Sequence, residues 1–335
     1  MEKVKKMLPK FCGFLFFGTM CTFVSAQKIN YQVNPQTGAL QTLSIANDPQ
    51  KMNWLVVTDG SQYRWVKENY GWGLGYATQV KGNRKEKVSW EIPAEMKQEG
   101  NELVYMAGDI RICVKRKMVE DELIEEYTFR NQGKDKVALV DIGVYTPFND
   151  NYPGSRTCIN TRTNTHIWEG ENAAYVNALR MGGHAPHLGL VLTKGAVKGY
   201  EIWERGRDKG NSHTRGIIAL NLPDLQLMPG KEYSMSWCLF AHKGIDDFRQ
   251  KLLEKGSVFV SCNKYVFEKG EKACIELAAE TSIQKCVLKN QDIHIPMKKR
   301  GNLWIAEVKM DQLGENRFDI FYGKGKQTHV TCLVI

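Results

Sequence analysis

Apolar and polar residues alternate along most of this chain with a period of two, the pattern of half-buried strands. Ile29-Asn30-Tyr31-Gln32-Val33 alternates, Asn34-Pro35-Gln36-Thr37-Gly38 supplies turn residues, and residues 40–45 alternate again, which predicts a hairpin. The pattern returns at 88–92, 103–106 and 110–114. Residues 123–130 alternate charged and apolar side chains before the turn Asn131-Gln132-Gly133-Lys134-Asp135, and 137–144 follow as a strand apolar enough to be buried. Strands at such regular spacing predict a sandwich or barrel.

The pattern switches to a helical period at one place. Across 245–255, Phe248, Leu252 and Leu253 share a face. Asp246 is placed to cap the start, Lys255 suits the negative end, and Gly256 suits a left-handed exit. This short helix predicts a connector, 244–256, between two units. From 257 to 335 seven short strands are expected, the strand count of an immunoglobulin-like sandwich. No long helical pattern follows, and a strand that ends flush with the chain suggests that more chain once followed.

Residues 1–26 have the features of an export signal. Lys3, Lys5, Lys6 and Lys10 precede an apolar run over 11–24, and Val24-Ser25-Ala26 places small residues before Gln27. The run is shorter than the roughly 20 residues a spanning helix needs. The expected location is therefore periplasmic or extracellular, with no membrane span. The formal charge of +9 is dispersed, without a basic stripe interleaved with aromatics, so nucleic acid is not an expected partner. Seven cysteines follow the leader, an odd number that leaves at least one thiol free. Cys262 and Cys332 fall in the expected first and last strands of the terminal unit, which makes them a candidate pair for a bridge. No C-x-x-C spacing supports zinc.

Candidate chemistry concentrates in 145–215. The substrate-binding candidates are Tyr152, His166, Trp168, Glu169, Arg180, His184, His187, Trp203, Glu204 and Arg205. Around them lie Arg156, Arg162, Glu171, Tyr175, His213 and Arg215, and the earlier Trp65, Tyr70, Trp72 and Tyr76 are candidates for the same surface. Aromatic faces stack on the apolar face of a sugar ring while carboxylates, arginines and amides bond its hydroxyls. The competing expectation is that these aromatics fill a large core. His184-Ala185-Pro186-His187 lies on no helix, so a metal is not expected, nor is a cofactor. Gly71-Trp72-Gly73-Leu74-Gly75 lacks the spacing of a phosphate loop and predicts tight packing. No G-x-S-x-G elbow occurs. Asp150, Glu169, Glu171, Glu201 and Glu204 qualify by type for glycoside cleavage, but sequence selects no pair, and no catalytic residue is assigned.

Residues 141–153 (DIGVYTPFNDNYP), 163–170 (TNTHIWEG) and 178–193 (ALRMGGHAPHLGLVLT) resemble the N-terminal β-supersandwich of bacterial exported proteins of the six-hairpin glycosidase type, a sandwich similar to galactose mutarotase. Leu227-Met228-Pro229-Gly230-Lys231-Glu232-Tyr233-Ser234 resembles the turn into the last strand of such domains. The resemblance implies a mostly β chain: leader 1–26, a large antiparallel supersandwich 27–243, connector 244–256, and an immunoglobulin-like sandwich 257–335. In that family the catalytic carboxylates usually belong to a downstream helical toroid, so the expected role is a non-catalytic, carbohydrate-associated module with poly- or oligosaccharide as partner. A separate helical catalytic domain or subunit is a second implied partner. Mutarotases use a His acid and a Glu base. His184, His187 or His213 with Glu201 or Glu204 match by type, without a matching motif. The alternatives are an active glycosidase or aldose epimerase, and a scaffold for a helical domain.

Overall fold

The computed structural model describes residues 28–56, 70–91, 96–150, 154–203 and 217–335. Residues 1–26, read from sequence as an export signal, lie outside them. The chain is mostly β, built as a large antiparallel sandwich followed by a smaller one. The first hairpin pairs Ile29–Val33 with Leu40–Ile45, and its turn closes where the Gly38 N–H donates to Asn34 O at 2.8 Å.

An eight-stranded sheet runs in the order Thr163–Trp168, Tyr175–Arg180, His187–Lys194, Glu232–His242, Glu122–Asn131, Ile110–Val119, Glu102–Ala107, Lys97–Glu99. A six-stranded sheet runs Gly199–Trp203, Ile217–Asn221, Val137–Tyr145, Gly75–Lys81, Arg84–Ser89, with Leu225–Leu227 added beside Val137–Tyr145. The two share one core, in which Trp90 meets Phe129 edge-on at 5.8 Å. The Glu122–Asn131 strand shows how alternation builds it: Leu123, Glu125, Tyr127 and Phe129 face inward and are fully buried.

Glu232–His242 departs from alternation because both of its faces are covered. Met235 to His242 are buried without a break. The helix Ile245–Glu254 lies across the outer side and packs Phe248 and Leu252 against Val191, Cys238 and Phe240. Its cap differs from expectation. Gly244 occupies the cap position with no side-chain cap bond, and Asp247, not Asp246, reaches back to accept the Lys243 N–H at 2.8 Å. Gly256 takes the left-handed exit at φ 69°. A second helix, Ser155–Thr161, went unread because Ser-Arg-Thr-Cys-Ile-Asn-Thr has no apolar stripe and no capping side chain.

The terminal sandwich has nine strands, not seven. One sheet orders Phe259–Cys262, Lys272–Ala278, Leu303–Lys309, Lys298–Arg300. The other orders Val266–Phe267, Lys326–Val334, Gly314–Tyr322, Ile283–Leu288, Ile293–Ile295. The extra strands are two- and three-residue edge pieces, too short to leave a periodic signal. The two sandwiches are joined by more than the helix. Asn172 exchanges backbone and side-chain hydrogen bonds with Gln327, Arg317 pairs with Glu171 at 2.7 Å, and Tyr175 stacks on Phe259 at 5.8 Å. No helix among the described residues is long and apolar enough to cross a membrane.

Candidate functional site

Among the described residues, those singled out in 145–215 do not converge on one site. Trp168 packs against the core of the terminal sandwich and stacks on Tyr175 at 6.3 Å. Glu169 lies 3.6 Å from His329 of that sandwich, so both residues belong to the seam between the units. His166 is exposed on the edge strand of the eight-stranded sheet, and His184 is exposed on a loop. Tyr152, Glu204 and Arg205, like Trp65, His213 and Arg215, lie outside the described residues, as does the Trp203 side chain.

Arg180 and His187 form a buried knot at the end of the eight-stranded sheet. The Arg180 guanidinium pairs with Asp48 at 2.8 Å, neither side chain reaching solvent, and lies over the Trp54 ring. The Arg180 backbone N–H donates to His187 Nδ1 at 3.1 Å. Burial and the neighbouring guanidinium push the His187 pKa down. His242, 5.2 Å from His187 between ring centres, is pushed down to about 4 by burial and by that second imidazole. These are neutral, packed imidazoles. Among the described residues no three His, Cys, Asp or Glu side chains come together as a metal site.

The arrangement best suited to a ligand lies on the outer face of the six-stranded sheet. Antiparallel register puts Glu201 opposite Ala219, Ala219 opposite Tyr145, and Gly143 opposite Tyr76. Residues directly opposite each other, and those two apart, share a face, so Glu201, Tyr145 and Tyr76 share this one. The Tyr76 hydroxyl donates to Glu201 Oε2 at 2.9 Å, and the Tyr145 hydroxyl donates to Glu91 Oε1. The two phenol rings lie 5.5 Å apart, and Tyr70 meets Tyr145 edge-on at 5.2 Å.

Two backbone features create room for this cluster. A Cβ on Gly143 would stand 2.4 Å from the Tyr76 ring, so only glycine lets that ring lie across the strand. Two residues further from the cluster, Asp141 has φ 51°, an uncommon left-handed conformation, at a register shift opposite Ala77. Beside the rings a cavity of about 320 Å³ opens, with Tyr76, Glu91, Lys87 and Asp141 in its wall. The Tyr145 and Tyr70 rings are buried in the core, so what faces a ligand is the partly exposed Tyr76 ring, the carboxylates beside it and a half-exposed concave surface of this volume, which are elements of sugar recognition. The same phenol–carboxylate pairs can pass protons.

Tyr76 and Glu201 were named from sequence, but Tyr145 and Glu91 were not assigned to a site. The parity of 141, 143 and 145 carried part of that signal, an Asp-x-Gly-x-Tyr run within an otherwise apolar strand. Glu91 carried none, because only register brings it to Tyr145.

The fold is that of a mostly β, carbohydrate-related sandwich protein. No family model and no curated protein matches the sequence. Among solved structures, a polysaccharide lyase is 57% identical over 92% of this chain, with a TM-score of 0.85. This chain spans 46% of that lyase's length. Fainter likenesses are to a galactose mutarotase related enzyme from Lactobacillus acidophilus and to the family GH36 alpha-galactosidase AgaA from Geobacillus stearothermophilus. The first has 10% identity and a TM-score of 0.40 over 66% of this chain and 97% of its own. The second has 10% and 0.38 over 73% and 45%. At such scores neither adds to the argument.

Proposed function

We propose that this protein is exported and binds polysaccharide on the Tyr76–Tyr145 face, as the non-catalytic β portion of a polysaccharide-degrading system. The observation that carries the reading is the 57% identity to a polysaccharide lyase over nearly the whole chain. The face supports it. Its partly exposed Tyr76 ring and its carboxylates suit hydroxyl-rich ligands. The expected partner in cleavage is a helical domain or subunit.

Elimination from a sugar acid needs a base, an acid, and a cation or dipole that holds the substrate carboxylate. Among the described residues the cluster offers phenols and carboxylates for proton transfer, and Lys87 in the cavity wall is a cation. Binding is the reading proposed because cleavage is expected of a separate helical domain or subunit, and the same test reads both. The test is a glycan array on the full chain and on Tyr76→Ala, with parallel incubations followed by ultraviolet absorbance of unsaturated sugar ends. Saturable binding that Tyr76→Ala loses is the expected result. Unsaturated product from the chain alone would replace this reading with an active lyase. No binding to any glycan would leave the face without a ligand and sink the proposal. For export, the amino-terminal sequence of the secreted protein should begin at Gln27.

A further inference from the structure

All seven cysteines after the leader are described, and two of them meet. Cys262 ends strand Phe259–Cys262 in the four-stranded sheet of the terminal sandwich, and Cys332 lies in the last strand, Lys326–Val334, of the facing sheet. Their Sγ atoms are 4.0 Å apart. The topology explains the meeting. Immediately after Cys262 the chain crosses between sheets and enters Val266–Phe267, which pairs in parallel with the last strand. The Leu333 N–H donates to Tyr265 O at 2.8 Å and holds the crossover against that strand. Cys332 is fully buried, whereas Cys262 is partly open to solvent.

We propose that Cys262 and Cys332 form a disulfide linking the two sheets of the terminal sandwich when the folded chain meets a thiol–disulfide oxidant. A disulfide places its sulfurs ~2.05 Å apart. Closing the observed gap requires the two side chains to rotate between staggered positions. The Cys262 thiolate attacks one sulfur of the oxidant's disulfide, forming a mixed disulfide and releasing one thiol. The Cys332 thiol then gives up its proton, attacks the Cys262 sulfur, and expels the second oxidant sulfur. Two protein S–H bonds become one S–S bond, and the oxidant is reduced to two thiols.

The pair is ordered for this sequence of steps. Cys332 donates its hydrogen toward Cys262, which holds the Cys262 thiol down at about 7 and pushes Cys332 up. The solvent-accessible member is thus the better thiolate. The nearest competitor, Cys274, neighbours Ile275, the residue opposite Cys262, so its side chain points to the other face of the sheet.

The test uses the full chain, purified reduced, treated with oxidised glutathione while folded, alkylated and mapped by mass spectrometry. The expected product joins the Cys262 peptide to the Cys332 peptide. Relative to the reduced form, unfolding of the terminal sandwich should shift upward by roughly 10 °C. Cys262→Ser, at a partly open position, should keep the fold by circular dichroism and lose both the crosslink and the shift. Oxidised, folded protein in which both thiols still alkylate would overturn the proposal. So would a Cys262–Cys274 link, or Cys262 left as a stable glutathione adduct.

Discussion

The large sandwich holds two clusters built of the same parts, one with its carboxylate sealed between the sheets and one with its carboxylate open to solvent. Glu125 sits between the sheets with no exposure. It accepts the indole N–H of Trp72 and of Trp237, each at 2.7 Å, and the Arg116 Nε–H at 2.6 Å. Arg116, Glu125 and Trp237 form one row across three adjacent strands. The other end of Arg116 is committed to Gly38 O. Glu201 is exposed and takes one phenol hydrogen bond, from Tyr76. A carboxylate whose lone pairs are filled by buried donors is an anchor. One that is exposed and takes a single phenol hydrogen bond can exchange it for a sugar hydroxyl. What separates the two is access to water, not residue type.

The largest effect expected from breaking this comparison is at the anchor. Glu125→Ala leaves the buried Arg116 Nε–H and two indole donors without an acceptor and the guanidinium without its counter-charge, and should cost about 3–5 kcal/mol in urea unfolding. A loss under about 1 kcal/mol would mean the network is not an anchor. Next is pH. His242 holds its proton less tightly folded, at about 4, than unfolded, near 6.5, so the unfolded state takes up the proton first as pH falls. Stability should be flat above about 6.5 and decline toward pH 4, by about 3 kcal/mol at most, and His242→Asn should flatten that decline.

Smaller effects should separate the second cluster from the first. Gly143→Ala drives a methyl into the Tyr76 ring and should cost about 1–3 kcal/mol of stability. It should also weaken glycan binding roughly tenfold, about 1.4 kcal/mol. Glu201→Gln keeps an acceptor but removes the charge. Its stability should stay within about 0.5 kcal/mol of the parent while glycan affinity falls. If Glu201→Gln instead destabilises as strongly as Glu125→Ala, the outer face is structural and the distinction fails.

The strands were legible because a half-buried strand must alternate, and 29–33, 40–45 and 123–130 do. The role of Glu125 was also within reach. It shares parity with Leu123, Tyr127 and Phe129, yet a carboxylate at that position reads as a surface residue until its donors are known. Trp168 and Glu169 have the composition of a sugar site but meet Tyr175 and His329 at the seam, because the second sandwich packs there. His187 looked like a chemical group and is a packed one, held by the Arg180 N–H and pressed against His242.

The sequence by itself determined the β class, the hairpin turns, the connecting helix and the two-sandwich order, since periodicity and turn chemistry act over a few residues. Tertiary structure alone decided which carboxylate is sealed and which is open, and which tyrosines meet. The nearness of Cys262 and Cys332 was read from their places in the first and last strands of the terminal unit, and the structure sets it at 4.0 Å. The other outcomes depend on strand register and sheet stacking between residues as far apart as Tyr76 and Glu201, and no local pattern encodes such distances.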